Sequence, residues 1–492
     1  MSQLRRFSWY VQAFYKKHRL ILVGSILGGA LLFVILPGIL RVVPTIKHTT
    51  YIGRVGRFSL AAIPRDIQDK VSFGLTKSFE DGEVVPALAS SYVSEEAGKT
   101  YRFTVRPRIL WQDGKPVTPD DVNYSFSDVQ TAKSQNDIVY RLTAQKQDAN
   151  AQEPVLPISF LTTVSQPLFR QVETRNIFFQ KKQKVIGLGV YAITSIIDQG
   201  SGIKELTLDS DKDRIVYRFY PTEHSALVAF KLGEVDRVEE LLTTEDMKQW
   251  NSVRVTPIVH TDQFVGVFFN LAYTDGQSAV FSSKQVRLAL NFALTKSTEN
   301  RFLSPISKQS WAYITDEADL DHYDRDMTQA VSLLIKADTP TKMDIELQTT
   351  PSYADEADTV KRDWEELGEK AAEACKQAKD AVQTQCENKR VTVTLRISNF
   401  PDTQNYQVML VGQQVPRDPD QYNLWHSTQA TNVTHYKNPR IDKLLEDGRR
   451  TQNREQRKLI YQEFQRTIVK DSPVIFLHAI TTYTVSRGIK IL

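Results

Sequence analysis

Two cysteines and eight histidines in 492 residues leave little material for a metal or redox centre. The histidines are scattered, His426 and His435 lying nearest each other, and no HExxH spacing occurs. GxSxG and the P-loop are also absent, so no catalytic constellation is legible. Gly187-Leu188-Gly189 lacks the third glycine and the acid of a dinucleotide site, and Asp120-Asp121 is accounted for by a helix start. There is no low-complexity tract and no short repeat. Acids are missing from residues 1–48, which hold Arg5, Arg6, Lys16, Lys17, Arg19, Arg41 and Lys47. Without those seven, 55 Lys and Arg face 58 Asp and Glu, so the rest of the chain carries about −3 rather than the overall +4. Nucleic-acid binding thereby loses its main electrostatic argument. An enzyme, a cofactor, a metal and a nucleic-acid partner are therefore not expected.

The chain has an ordinary globular composition, 41% apolar and 24% charged, and the length for two or three lobes. Leu20–Leu40 is a run of 21 residues without charge, long enough to cross roughly 30 Å of hydrocarbon as a helix. Basic residues dominate its N-terminal flank, which places residues 1–19 in the cytoplasm and residues 49–492 outside. A cleaved signal peptide is the competing reading, but no small-x-small site follows Leu40. The expectation is a single-pass membrane protein with an uncleaved anchor over 20–43. In an oxidising space Cys375 and Cys386 invite a disulfide closing a short helical hairpin, worth about 2–3 kcal/mol; two free thiols are the alternative.

The densest signals lie between Gly74 and Phe126. Asp81-Gly82 is a tight-turn dipeptide between short apolar runs. Tyr101-Arg102-Phe103-Thr104-Val105-Arg106 alternates as a half-buried strand does. Asp113-Gly114 marks a second turn. Thr118-Pro119-Asp120-Asp121 supplies an N-cap, proline at N1 and an acid at N3, predicting a helix through Val122, Phe126 and Val129. Further on, Glu223–Leu232 has helical spacing and ends at Gly233. Phe264–Leu271 is apolar enough for a strand buried on both faces. Ser282 and Ser283 cap a helix whose Val286, Leu290, Ala293 and Leu294 share one face, and a long charged helix starts near Glu455.

In order, these motifs resemble the extracellular solute-binding proteins of family 5, the peptide-binding receptors of ABC importers. The counterparts run from the Gly74–Phe126 block through Gly233-Glu234-Val235-Asp236 and Phe269-Asn270, followed by Val286–Ala293. They continue through Asp418-Pro419-Asp420, Lys437-Asn438-Pro439, Ile441–Leu445, Arg457, Tyr461 and Gln465 to Asp471–Leu477. The resemblance covers about 60–492. It implies an α/β fold of the bilobed periplasmic-binding-protein type, class II, the large peptide-binding form with an extra sub-lobe, preceded here by one transmembrane helix. Lobe I is assigned to 49–75, 180–262 and 475–492, the extra sub-lobe to 76–179 and lobe II to 263–474.

A receptor of this kind closes two lobes over a ligand in a cleft with a few directed polar groups. The cleft candidates are Gln413, Gln414, Arg417, Asp418, Asp420, Trp425 and Asn270. Turn geometry is the other reading of Asp418 and Asp420, core packing of Trp425, and an inter-lobe tie of Asn270. The family's peptide binders anchor the ligand's α-ammonium on an aspartate just before the Asp-Pro-Asp segment; the residue three before Asp418 is Val415. Three outcomes fit: a ligand held otherwise, Asp418 or Asp420 acting from a shifted loop, or lost binding. The resemblance implies an oligopeptide or related organic solute as ligand, ABC permease and ATPase subunits as partners, and a monomeric exported domain. A membrane-tethered peptide sensor or envelope chaperone with the same fold is the alternative.

Overall fold

The computed structural model describes residues 7–10, 12–21, 24–25, 29 and 33, and from 47 onward all except 144–153, 176–180, 201, 245–246, 275–278, 338–341, 378–389 and 489–492. Ten strands form one mixed sheet in the order Ala192–Asp198, Ile203–Asp209, Asp213–Tyr220, His48–Val55, Arg237–Leu241, Val474–Arg487, Val253–Phe269, Val408–Gln414, Lys342–Thr349 and Arg390–Ile397. Two long antiparallel strands, Val253–Phe269 and Val474–Arg487, run through both halves of this sheet. Their register slips between His260 and Phe264, so the bulge at Thr261–Gln263 sits where the halves join.

Around the second half, alternation divides the crossing strand. Val265, Val267 and Phe269 pack under the helices Lys284–Ala293, Met327–Lys336 and Ala354–Gln377. Phe264 and Phe268 face the helices Pro439–Arg450 and Arg454–Asp471. The expected apolar run at 264–271 is thus buried on both faces because helices cover both. The Glu223–Leu232 helix has its N-cap at Thr222 and a left-handed Gly233 at its end. Ser283 stands at the N-cap of Lys284–Ala293, but its side chain makes no capping bond.

Residues 76–142 build a hairpin, Thr76–Ser78 with Val84–Pro86, and a four-stranded antiparallel sheet containing Thr100–Val105. Leu75, Tyr101, Phe103, Tyr140 and Phe160 form its separate core. The helix expected after Thr118 is corrected by the structure. Thr118 and Asp121 do form the capping box, yet the helical turn spans only Pro119–Asp121 and Val122 is extended. Val122 is drawn into the core, and the Tyr124 hydroxyl donates to Val164 O at 3.0 Å. Tertiary burial outweighs a cap followed by the helix-poor sequence Val-Asn-Tyr-Ser-Phe.

Residues 12–21 are helical. Among the described residues no helix is long and apolar enough to cross a membrane, and most of Leu20–Leu40 lies outside the described residues. Cys375, on the last turn of Ala354–Gln377, is buried and disulfide-bonded. Cys386, the other cysteine of the sequence, lies outside the described residues.

Candidate functional site

The strand Val408–Gln414 pairs along its whole length with the crossing strand, from Gln263↔Gln414 to Phe269↔Val408. On its other side Lys342–Thr349 accompanies it only as far as Leu410. Two bonds fix which backbone groups face which way. Asn270 N–H donates to Gln407 O at 3.0 Å and Val415 N–H to Asp262 O at 2.7 Å. By antiparallel alternation Met409, Val411 and Gln413 bond to the crossing strand, while Gly412 and Gln414 turn their backbone groups outward. Thr349 Oγ1 donates to Leu410 O at 2.8 Å, the last bond from that strand, and farther along the edge Gln414 O accepts from Gln413 Nε2 at 3.0 Å. Beyond Leu410, among the described residues, no strand covers this side.

A cavity of about 610 Å³ lies at that edge. Gly412, Gln413 and Gln414 line it together with Ser352 and Tyr353, and Leu242 reaches it from the first half of the sheet. Its described lining holds no charged side chain. A Cβ on Gly412 would come within 2.8 Å of Tyr353 Oη and 2.9 Å of Ile480 Cδ1, so the glycine is what lets the tyrosine lie against the strand. Burial pushes the Tyr353 phenol above its usual range, and the nearby Glu356 adds to the effect. The site thus offers an open main-chain edge flanked by neutral hydrogen-bonding groups.

Of the sequence candidates, Gln413 and Gln414 meet in this cavity. Asp418 is 4% exposed and accepts two bonds from Arg457, at 2.6 and 3.0 Å. Asp420 accepts from Ser159 Oγ at 2.6 Å and Arg449 Nε at 3.1 Å, fastening the 74–188 region to the helix Pro439–Arg450. Arg417 donates to Ser78 O at 2.8 Å and borders a different groove, with Lys77 and Arg106. Trp425 is core, packed in the same cluster as Phe264, Phe268 and Val415. Asn270 donates to Tyr406 O at 2.8 Å and accepts from Ala272 N–H at 3.1 Å, tying the end of the crossing strand to the next segment. Val415 is 2% exposed and points into the core, not the cavity.

Sequence reasoning missed Ser352, Tyr353 and Leu242. Thr350-Pro351-Ser352-Tyr353 directly follows the carboxyl end of a strand in parallel pairing and precedes a long helix, the place where open α/β sheets present ligands. That signal was available.

A single sheet crossed by two long strands, with a cavity between its halves, defines a two-lobed solute-binding fold. Residues 83–434 match the family described as Bacterial extracellular solute-binding proteins, family 5 Middle, and the chain belongs to that family. It is a solute-binding protein and not an enzyme. The oligopeptide-binding protein AppA of Bacillus subtilis is 24% identical over 460 residues, 84% of this chain and 81% of that protein. The fold is similar to NikZ from Campylobacter jejuni, solved in complex with Ni(L-His), with a TM-score of 0.65 and 19% identity over 90% of this chain and 94% of that one. It is also similar to the crystal structure of Bacillus subtilis AppA with a nonapeptide, at a TM-score of 0.56 and 18% identity over 90% and 95% of the two chains.

Proposed function

We propose that this chain is the membrane-tethered substrate-binding subunit of an ABC importer, taking an extended peptide by main-chain pairing along the open edge at Gly412–Gln414. The observation that carries this is the edge itself: outward backbone groups at Gly412 and Gln414 beside an uncharged cavity of about 610 Å³. Such an edge reads peptide backbone whatever the side chains, through added-strand pairing. The likeness to an oligopeptide-binding protein supports the same class of ligand. Val415 gives a free α-ammonium no carboxylate at that position, so the peptide is held along its middle and not by its amino end. The charge-free run Leu20–Leu40 behind a basic segment supports the tether, with residues 49–492 outside the cell and delivery to permease and ATPase subunits in the same membrane. Lobe I, the sub-lobe and lobe II are assigned as the sequence divides them, with the joint at the Thr261–Gln263 bulge.

The test is purification of the full-length chain from native membranes, followed by mass spectrometry of what it carries and melting measurements with a diverse peptide pool. N-terminally blocked and free peptides should raise the melting temperature alike. No co-purified ligand and no shift with any peptide would favour the tethered sensor or chaperone reading. Carbonate washing should leave the chain in the membrane; release of a shortened product refutes the tether.

A further inference from the structure

A second cavity, about 690 Å³, lies beside the same joint. Val259, Thr261 and Ala479 contribute to its wall, whereas the next residue, Ile480, lines the open-edge cavity. Successive strand residues point to opposite faces, so the two cavities flank the crossing strands from opposite sides. Four cations line the second cavity, Lys296, Arg301, Lys308 and Arg325, against two acids, Glu317 and Asp324. Two of the cations are already matched: Lys308 Nζ lies 2.6 Å from Glu317, and Arg325 lies 2.7 Å from Glu366.

Lys296 and Arg301 are not matched. Among the described residues neither forms an ion pair. Lys296 Nζ donates to the carbonyls of Asn291 and Tyr323, and Arg301 Nη2 donates to His322 O at 2.8 Å. Arg301 Nε is buried and has no acceptor among the described residues. A buried guanidinium donor without an acceptor is desolvated with no hydrogen bond to offset the loss. Burial lowers the pKa of Arg301, and burial together with the neighbouring Arg301 charge brings Lys296 down to about 7. Asp324 acts in the opposite sense on both without reaching pairing distance. The guanidinium of Arg301, without a paired acid, and the amine of Lys296, whose protonated form a bound anion would favour, line a roomy cavity with Thr298 and Asn300, an arrangement suited to an oxyanion.

We propose that this cavity is an oxyanion site, in which Arg301 and Lys296 hold a phosphate, sulfate or carboxylate group on the face of the crossing strands opposite the open edge. The site is independent of the peptide reading, since none of its charged residues lines the other cavity. The probe is sodium sulfate, titrated into the full-length protein in detergent by calorimetry, with sodium chloride holding ionic strength constant. Saturable binding in the millimolar range or tighter is expected. Arg301→Gln should weaken it at least tenfold, and the paired replacement Lys308→Gln with Glu317→Gln, which removes one charge of each sign from the wall, should change it less than threefold. Thr298→Asp, on an exposed residue, places a carboxylate at the cavity wall and should abolish binding even if Arg301→Gln proves unstable. Parallel titrations with inorganic phosphate and citrate rank tetrahedral oxyanion against carboxylate. A non-saturating response, or equal binding in wild type and Thr298→Asp, means an adventitious ion only and overturns the proposal.

Discussion

Arg457 grips Asp418 with both terminal nitrogens, at 2.6 and 3.0 Å, while its Nε donates to Gly448 O at 2.8 Å and its face lies over Tyr461. Burial works against the charged guanidinium, but Asp418 outweighs it and holds Arg457 above even its ordinary range. Both residues stand at positions matched in the family's motif series, and this pair joins the Asp-Pro-Asp turn to the helix Arg454–Asp471. Breaking one partner of a buried pair leaves the other charge stranded, which costs about 3–5 kcal/mol. Asp418→Asn should therefore lower the urea midpoint sharply, whereas the paired replacement Asp418→Leu with Arg457→Met should recover much of the loss. A single variant as stable as wild type would show the pair to be dispensable.

Gly82 turns the 76–86 hairpin with φ +83°, and a Cβ there would meet Arg417 O at 2.5 Å. Beside it Trp311 N–H donates to Asp81 O at 3.0 Å, so the turn is a docking point as well as a bend. Gly82→Ala adds left-handed strain of roughly 1 kcal/mol to a backbone clash. A loss of about 2–3 kcal/mol in urea unfolding is expected. Gly114→Ala, also at positive φ but with open space around its Cβ, should lose only the strain.

If Gly412 and Gln414 present backbone to a peptide, removing one N–H matters more than removing a side chain. Gln414→Pro should weaken peptide binding about tenfold, the worth of one hydrogen bond of roughly 1–1.5 kcal/mol. Gln414→Ala should change it less than threefold. Isothermal titration with whichever peptide co-purifies measures both. Equal effects of the two substitutions would assign the contact to the glutamine side chain and refute main-chain pairing.

Local signals made the hairpin, the strand at Thr100–Val105 and the helices Glu223–Leu232 and Lys284–Ala293 legible, because each is set by turn chemistry or periodicity within about ten residues. The helix after Thr118 failed because Val122 and Tyr124 are claimed by the 160–168 region, which no local window contains. The site was half legible. Gln413 and Gln414 follow from their place before the Asp-Pro-Asp turn, but a free edge is defined by where another strand stops. The end of Lys342–Thr349 pairing at Leu410 is such a fact. Asp418 carried a charge that read equally as ligand contact or structure, and only Arg457, 39 residues away, decides between them.

Two histidines flank the bulge between the halves, and both should make stability fall as pH rises. His260 lies 3.3 Å from Glu240 and donates or accepts at 2.7 Å with Thr482 Oγ1; that glutamate bond, more than burial opposes it, raises the imidazole pKa. His478 lies 3.1 Å from Glu356; burial pulls it down, but the carboxylate prevails and its pKa is also raised. An imidazolium favoured in the folded state contributes fully below the unfolded value of about 6.5 and is lost as pH climbs through the raised folded value. The melting temperature should therefore decline from about pH 6 to pH 9. The double variant His260→Gln, His478→Gln should be less stable than wild type at pH 6 and should approach it at pH 9. Because Val265 pairs with His478 and Ile480 with His260, both imidazoles sit on the strands that must flex if the halves move. Peptide affinity measured across the same pH range in the double variant separates the two roles. A flat affinity profile beside an altered melting profile confines the histidines to stability, while a pH slope present in wild type and absent in the variant assigns them to closure.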